Sequence, residues 1–301
     1  MYVKATWLEA EGYISDRTNK LDDTETKTVT ARRKRFLNNN LVQLKGRLHT
    51  DIGLQDKLLP SHLDIKITLT RSKPEFVFHS EVEDTAFKVT ITDATLQVRK
   101  VKLTPTRQLA FEKNIAKTPI RIPINYVSLK SISLSSGISS YSQNGIFTGP
   151  LPHLVIIGLI ENAAFVGTYN KNPFEFKHYD VNSLCLHVNG RSVPSRAYQP
   201  DFAKNNYVDS YLSLWGGLSM QFANHEHGIT YESYKHGNCL WAFDLTPDNC
   251  ASANPPVSGS LDINLRFGTA LPETVSLLIY GQYKNNIFID QFRNIVTDIS
   301  L

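Results

Sequence analysis

Apolar and polar residues alternate through much of this chain. Leu63, Ile65, Ile67 and Leu69 are separated by Asp64, Lys66 and Thr68, the period of a half-buried β-strand. Phe87, Val89 and Ile91 repeat it against Lys88, Thr90 and Thr92. A change of register falls at Asp93-Ala94. Leu96, Val98, Val101 and Leu103 continue the pattern, with Arg99-Lys100 doubled as at a bulge. Further strands are expected over residues 120–134, 154–160, 174–188, 239–245, 260–267, 275–283 and 287–292, and Asn189-Gly190 supplies a tight turn after one of them. Helical spacing is scarce. Thr104 and Pro105 give an N-cap and a first helical position for residues 105–116. After Phe202, Tyr207, Tyr211, Leu214 and Trp215 recur at three- and four-residue spacing before Gly216-Gly217, so residues 202–215 are expected to be a helix. Residues 16–30 are polar and read as an extended lead-in, and regular structure is expected from about Leu41. Many strands, two short helices and no βαβ rhythm predict an all-β fold. It is an antiparallel β-sandwich of the jelly-roll kind, with short helices in its loops.

Composition changes this picture little; charge sharpens it. The 301 residues are 41% hydrophobic and 20% charged, which excludes bulk disorder and allows a core without metal or disulfide staples. The longest uncharged apolar run, residues 154–160, is too short to span a bilayer, and no leader-like segment opens the chain, so neither membrane insertion nor secretion is expected. The net charge of +4 conceals an asymmetry. Residues 27–47 hold seven basic side chains (Lys27, Arg32, Arg33, Lys34, Arg35, Lys45 and Arg47) and no acid, leaving 25 basic against 28 acidic elsewhere. Arg32, Arg33, Lys34 and Arg35 are the candidate nucleic-acid contacts; the alternative is a solvated lead-in. Cys185, Cys239 and Cys250 form no CxxC, and the first two sit among apolar residues as buried thiols would.

Candidate chemistry is thin. His225 and His227 lie two apart, a ligand pair if on one strand, but no third ligand follows at metal-site spacing. His178 and Asp180 would share one face of a strand, as in an oriented imidazole, yet no GxSxG or CxxC supplies a nucleophile. Glu81, Glu83 and Asp84 form an acidic loop without EF-hand spacing. GxxxxGK[ST] and GxGxxG are both absent. No catalytic, cofactor-binding or metal residue is therefore assigned, and no enzyme is expected.

Several ordered stretches carry a family resemblance. They are Phe36-Leu37-Asn38-Asn39-Asn40-Leu41-Val42 with Leu44-Lys45-Gly46-Arg47-Leu48-His49-Thr50-Asp51-Ile52; Leu58-Leu59-Pro60 with Asp64-Ile65-Lys66-Ile67 and Arg71-Ser72-Lys73; and Asp93-Ala94-Thr95-Leu96 with Val98-Arg99-Lys100-Val101. Further along come Lys171-Asn172-Pro173-Phe174 with Phe176-Lys177-His178-Tyr179-Asp180-Val181-Asn182; Gln199-Pro200-Asp201-Phe202; and Ala242-Phe243-Asp244-Leu245-Thr246-Pro247. In this order they resemble the major capsid (hexon-like) protein of Maverick/Polinton elements and adintoviruses, copies of which also lie in animal genomes. The likeness runs from about Phe36 to Phe292.

The resemblance implies a double jelly-roll protein that trimerises into capsomers of an icosahedral shell around double-stranded DNA. It implies no catalytic residue and no cofactor. The implied partners are further copies in a homotrimer, a first jelly-roll partner, other capsid proteins and non-specific DNA. The implied location is the virion or the cell interior. The family's protein has two rolls where this chain matches one, the second. On that reading residues 1–40 are a basic lead-in standing where the inter-roll segment would be, and residues 41–301 are the roll. The chain is then a single-roll fragment or genomic copy, and the 105–116 helix is an insertion in a sandwich loop. The alternative is a domesticated jelly-roll module binding glycans or proteins, with residues 165–174 as an aromatic loop.

Overall fold

Nine strands carry the architecture of the computed structural model, which describes residues 8, 10–13, 27–55, 57–80, 87–218, 220, 227–246 and 258–297. They are β1 (Ile120–Leu134), β2 (Ser140–Pro150), β3 (Leu154–Glu161), β4 (Val181–Val188), β5 (Arg191–Tyr198), β6 (Leu240–Asp244), β7 (Ser258–Phe267), β8 (Val275–Ile289) and β9 (Ile295–Thr297). One sheet runs β1-β8-β3-β6 with β9 added to β8; the other runs β2-β7-β4-β5. Every ladder whose register is resolved is antiparallel. Strands 1, 8, 3 and 6 facing strands 2, 7, 4 and 5 is the order produced by wrapping an eight-stranded hairpin into two Greek keys, which defines a jelly roll. The expected fold is thus present, and it follows from strand order alone.

The core lies between the two sheets. β7 buries Leu261, Ile263, Leu265 and Phe267 and leaves Asn264 and Arg266 exposed, a clean period of two. Val155, Ile157 and Leu159 of β3 and Val275, Leu277 and Ile279 of β8 are fully buried, as is Trp241 of β6. β3 is buried on both faces, which is why its sequence is a continuous apolar run instead of an alternation. On its outer face Gly158 lets Phe176 and Leu240 close over the strand; a Cβ there would lie 2.8 and 2.7 Å from their side chains. Asn189-Gly190 forms the expected β4–β5 turn, with φ of 51° and 81°, and Val188 pairs with Arg191 across it.

Edges are managed differently in the two sheets. Helix α3 (Val208–Gly217) covers edge strand β6: Ala242 N donates to Ser213 Oγ at 3.3 Å, and Gly217 sits against the Ala242 backbone. Edge strand β5 carries Pro194, which cannot donate to a further ladder. Its register with β4 jumps from Leu184↔Tyr198 to Leu186↔Val193, so residues 194–197 bulge out.

The chain divides into two compact units. One is Met1–Arg47, Glu75–Thr85 and Val127–Tyr283; the other is Leu48–Pro74, Ala86–Tyr126 and Lys284–Leu301. The first holds most of the roll. In the second, α2 (Pro105–Lys117) appears as expected, with Pro105 at its start and Ile115 buried. It leads into β1, the first strand of the roll, so it precedes the sandwich and is not an insertion in one of its loops. Arg293 Nη2 pairs with Glu112 Oε1 of this helix at 2.7 Å. Asp51 accepts from Asn125 N at 2.9 Å and Arg121 Nε donates to Asn286 Oδ1 at 2.7 Å.

Four expectations need correction. Residues 63–69 and 87–103, the cleanest alternations in the sequence, form no strand. A pattern of two faces marks a segment that can pair, and among the described residues neither segment joins one of the two sheets. Residues 27–36, read as extended, form a helix, α1 (Lys27–Phe36). The strand expected from residue 174 begins only at Val181, because Tyr179 and Asp180 take positive φ and turn the chain. Finally, β2 and β5 were not expected. Polar outer residues and Gly145 disguise the first, Pro194 the second.

Candidate functional site

The basic residues fall on α1. Arg33 and Lys34 are exposed, while Arg32 and Arg35 are half-buried and engaged in other interactions. Three-residue spacing puts Arg32 and Arg35 on one stripe and Arg33 and Lys34 beside it. Arg33, Lys34 and Arg35 lie in the last turn, where cations complement the negative end of the helix dipole. The charge thus has a local structural role as well as an outward face.

A cleft of about 810 Å³ lies where β5, α3 and β6 come together. Its wall includes Arg196 and Tyr198 of the bulged edge strand, Asp209 and Ser213 of α3, and Phe243 and Asp244 of β6. Asp244 is held by Thr246, whose N–H donates to its Oδ1 at 2.8 Å. Burial pushes the Tyr198 hydroxyl above its ordinary value, with the Asp209 carboxylate adding to the shift. Aromatic rings continue behind the cleft. Phe202 stacks on Tyr207 at 5.2 Å, and Tyr207 on Tyr231 at 4.4 Å. Tyr231 opens a short helix whose Thr230–Ser233 capping box satisfies both ends of its first turn.

His178 and Asp180 do not alternate on a strand. They bracket a left-handed turn in which Asp180 N donates to His178 Nδ1 at 2.9 Å, and the imidazole stacks on Phe202 at 4.1 Å. Gly268 N closes the turn by donating to Asp180 O at 2.7 Å. The half-buried ring accepts a backbone hydrogen bond through Nδ1 and rests on the fully buried Phe202. Burial pushes the His178 pKa below its ordinary 6.5, partly opposed by the Asp180 carboxylate. Above about pH 6.5 both folded and unfolded states hold a neutral ring. Below it the unfolded state binds a proton that the folded state refuses, so stability falls as pH drops from 6.5 toward the depressed native value. Urea midpoints at pH 7.5 and 5.5 should therefore differ, and His178→Gln should shrink that difference. An unchanged difference would assign it to another group.

His225, Glu226, Glu81, Glu83, Asp84 and Cys250 lie outside the described residues. His227 packs its ring on Trp215 at 4.5 Å and accepts from Ile229 N through Nδ1 at 3.2 Å. Among the described residues no three His, Cys, Asp or Glu side chains come together as a metal site, and no helix is long and apolar enough to cross a membrane. Cys185 and Cys239 are buried free thiols, and burial pushes the Cys239 thiol far up, out of the reactive range. In the aromatic loop Phe165 is half-buried and Phe174 is exposed, edge-on to Phe76 at 5.6 Å.

No protein-family model matches the chain. An uncharacterized protein of Caenorhabditis elegans is 24% identical over 307 residues, covering 98% of this chain and 71% of that protein. Among solved structures, a chain of the Sputnik virophage superposes at TM-score 0.39 with 13% identity, covering 61% of this chain and 39% of the other. The mavirus major capsid protein gives 0.33 and 9%, covering 61% and 42%. A chain of the PBCV-1 virus capsid gives 0.35 and 11%, covering 66% and 55%. The chain thus spans less than two thirds of each of these solved chains. Its assignment as a jelly roll rests on its own strand order.

Proposed function

We propose that this chain is a structural protein of capsid type. It is a jelly-roll subunit that self-associates, as a homotrimer, into shells of a double-stranded DNA virus or virus-like transposon of the Maverick/Polinton and adintovirus kind. One observation supports this most. Three separate stretches that carry the sequence resemblance meet in space. His178 of the first stacks on Phe202 of the second, and Gln199 and Pro200 line the cleft with Ala242, Phe243 and Asp244 of the third. Their joint presence thus has a physical reason in the roll. Residues 1–40 as lead-in and 41–301 as the domain that carries the roll, whose strands lie within 120–297, belong to this proposal, as do a first-roll partner, other capsid proteins and a virion or intracellular location. It assigns no catalysis and no cofactor. Sedimentation velocity and electron microscopy of the purified full chain test it. Trimers or larger rings are expected, and a monomer at all concentrations, with or without a first-roll partner, would overturn it.

DNA contact through α1 belongs to the same proposal. If residues 27–47 neutralise seven phosphates, log K against log salt has a slope of about −6. Replacing the exposed pair, Arg33→Ala with Lys34→Ala, should flatten it by roughly 2. An unchanged slope removes α1 from the interface.

The cleft supports a second reading, a binding module for glycans or proteins. Tyr198, Arg196 and Asp209 give an aromatic face and both charge signs within one concave wall. A glycan array without hits that depend on Tyr198 would dismiss the sugar version.

A further inference from the structure

The cleft between β5, α3 and β6 lies where the outermost strands of the two sheets come together. Its wall is more specific than a concave shape alone.

A buried hydroxyl faces it. Ser210 of α3 lines the cleft and is 1% exposed, yet its Oγ has no hydrogen-bond partner among the described residues. Ser213, one turn further on, shows the ordinary solution. Its Oγ donates to Ser210 O at 2.6 Å and accepts from Ala242 N at 3.3 Å. A buried polar atom without a partner is costly, and one on a cavity wall gains its missing bond when a ligand supplies it.

Charge narrows the ligand. Arg196 offers donors only, while Asp209 and Asp244 offer acceptors only. Arg196 and Asp209 form no ion pair among the described residues, so both are available. Gln199 and Asn206 add amides that donate and accept. An anion entering here meets two carboxylates, and a cation meets a guanidinium. A neutral molecule dense in groups that both donate and accept satisfies the whole wall, and the hydroxyl is such a group.

Shape selects between a sugar and a peptide. Tyr198 is half-buried on the wall, with the buried Phe243 behind it at 5.6 Å. A backed aromatic ring of this kind presents a flat apolar face with a polar tip, which suits the C–H face of a saturated ring. An extended peptide finds no edge to join. Residues 194–197 bulge from the β5 ladder, Pro194 has no N–H, and α3 covers β6. The volume of about 810 Å³ suits a small ligand.

We propose that the cleft is a binding site for an uncharged sugar, whose C–H face lies on Tyr198 and one of whose hydroxyls bonds Ser210 Oγ. This rests on the binding-module reading of the cleft and sharpens it from glycans or proteins to neutral pyranose rings.

Saturation-transfer NMR and titration on the purified full chain test it. The neutral probes are the methyl glycosides of glucose, galactose, mannose and N-acetylglucosamine. The charged probes are methyl glucuronide and methyl glucosaminide. At least one neutral glycoside should bind with Kd on the order of 1 mM. Both charged probes should bind about fivefold more weakly or worse. Ser210→Ala should weaken the neutral glycoside about fivefold while the melting midpoint stays or rises, because it deletes an unpaired hydroxyl. A purely structural Ser210 would give the reverse, a lower midpoint with affinity unmoved, and would overturn its role. Tyr198→Ala should abolish binding, and Asp209→Asn should narrow the gap between the glucuronide and the neutral sugar. The proposal is overturned by no neutral glycoside binding at about 20 mM, or by a charged probe binding as tightly as every neutral one. Affinity unmoved by both Ser210→Ala and Tyr198→Ala overturns it too. A random-peptide selection run beside it separates the two failures. Peptides whose binding depends on Tyr198, with no sugar bound, would keep the module reading and remove the sugar. No sugar and no peptide would remove both.

Discussion

Trp241→Ala is expected to remove about 3–5 kcal/mol of stability, the range for deleting a large aromatic from a packed core. Trp241 is fully buried on the inner face of β6, opposite Ile157 in the ladder. Val155, Leu159, Leu261 and Leu277 are themselves fully buried, so refilling the space would have to move side chains that are already packed. Domains have only about 5–15 kcal/mol in total, so the variant loses a large share of the whole. At about 2–4 °C per kcal/mol for a domain of this size, the melting point should drop by roughly 10 °C. The indole nitrogen sharpens the comparison. Trp241 Nε1 is buried and has no hydrogen-bond partner among the described residues. Trp241→Phe therefore discards an unsatisfied donor along with part of the ring, and should cost less than half as much as the alanine variant. Chemical denaturation followed by circular dichroism reads both. An alanine variant within about 1 kcal/mol of the parent would mean that the sandwich core is not packed as described.

The second large effect reverses an ordinary sign. In an open helix Gly→Ala stabilises by up to about 1 kcal/mol through lost backbone freedom in the unfolded chain. Gly217→Ala at the end of α3 should instead destabilise by about 1–3 kcal/mol. A Cβ there would stand 2.6 Å from Ala242 Cβ, 2.7 Å from its carbonyl carbon and 2.9 Å from its oxygen. Two of these are backbone atoms in a ladder and cannot swing aside. The helix would have to lift, and the Ser213 Oγ contact with Ala242 N would go with it. That uncovers the free edge of β6, so the variant should aggregate on mild heating as well as unfold earlier. Light scattering beside the denaturation curve separates the two consequences. A stabilised, soluble Gly217→Ala would show that α3 does not rest on β6.

The strands that the sequence disclosed best are those with the simplest surroundings. β1 spans the residues its alternation predicts, and β3, β6 and β7 differ from expectation by a residue or two at the ends. β8 runs on past 283 to Ile289, taking in the first half of the separate strand expected over 287–292. β3, β7 and β8, inside their sheets, are apolar on at least one whole face, and no other element explains such a run. Two of the four edge strands were harder. β2 and β5 carry Ser, Asn, Arg and Pro because a free edge discourages further pairing, and those residues are also the vocabulary of loops. Residues 63–69 and 87–103 failed for another reason: alternation states a capacity for pairing, and a partner is a separate fact.

The candidate site was hardly legible. The cleft draws on residues 193–200, 206–217 and 242–244, three stretches joined only by the sandwich topology. The His178–Phe202 stack depends on the positive φ of Tyr179 and Asp180. A local pattern that alternates so well through Phe176, His178 and Asp180 gives no hint of that turn. The basic cluster was legible as charge but not as a helix, since Thr28, Val29 and Thr30 weaken the helical signal.

The Asn189-Gly190 turn has a chemical side. An asparagine followed by glycine is the pair whose side-chain carbonyl is most readily attacked by the next backbone nitrogen, cyclising and then ageing to an acidic residue. Here the amide is tethered at both ends: Oδ1 accepts from Ser260 N at 2.9 Å and Nδ2 donates to Ser258 O at 3.4 Å. Turning toward the attacking nitrogen has to break both. The hairpin thus keeps its tightest bend while guarding its most perishable bond.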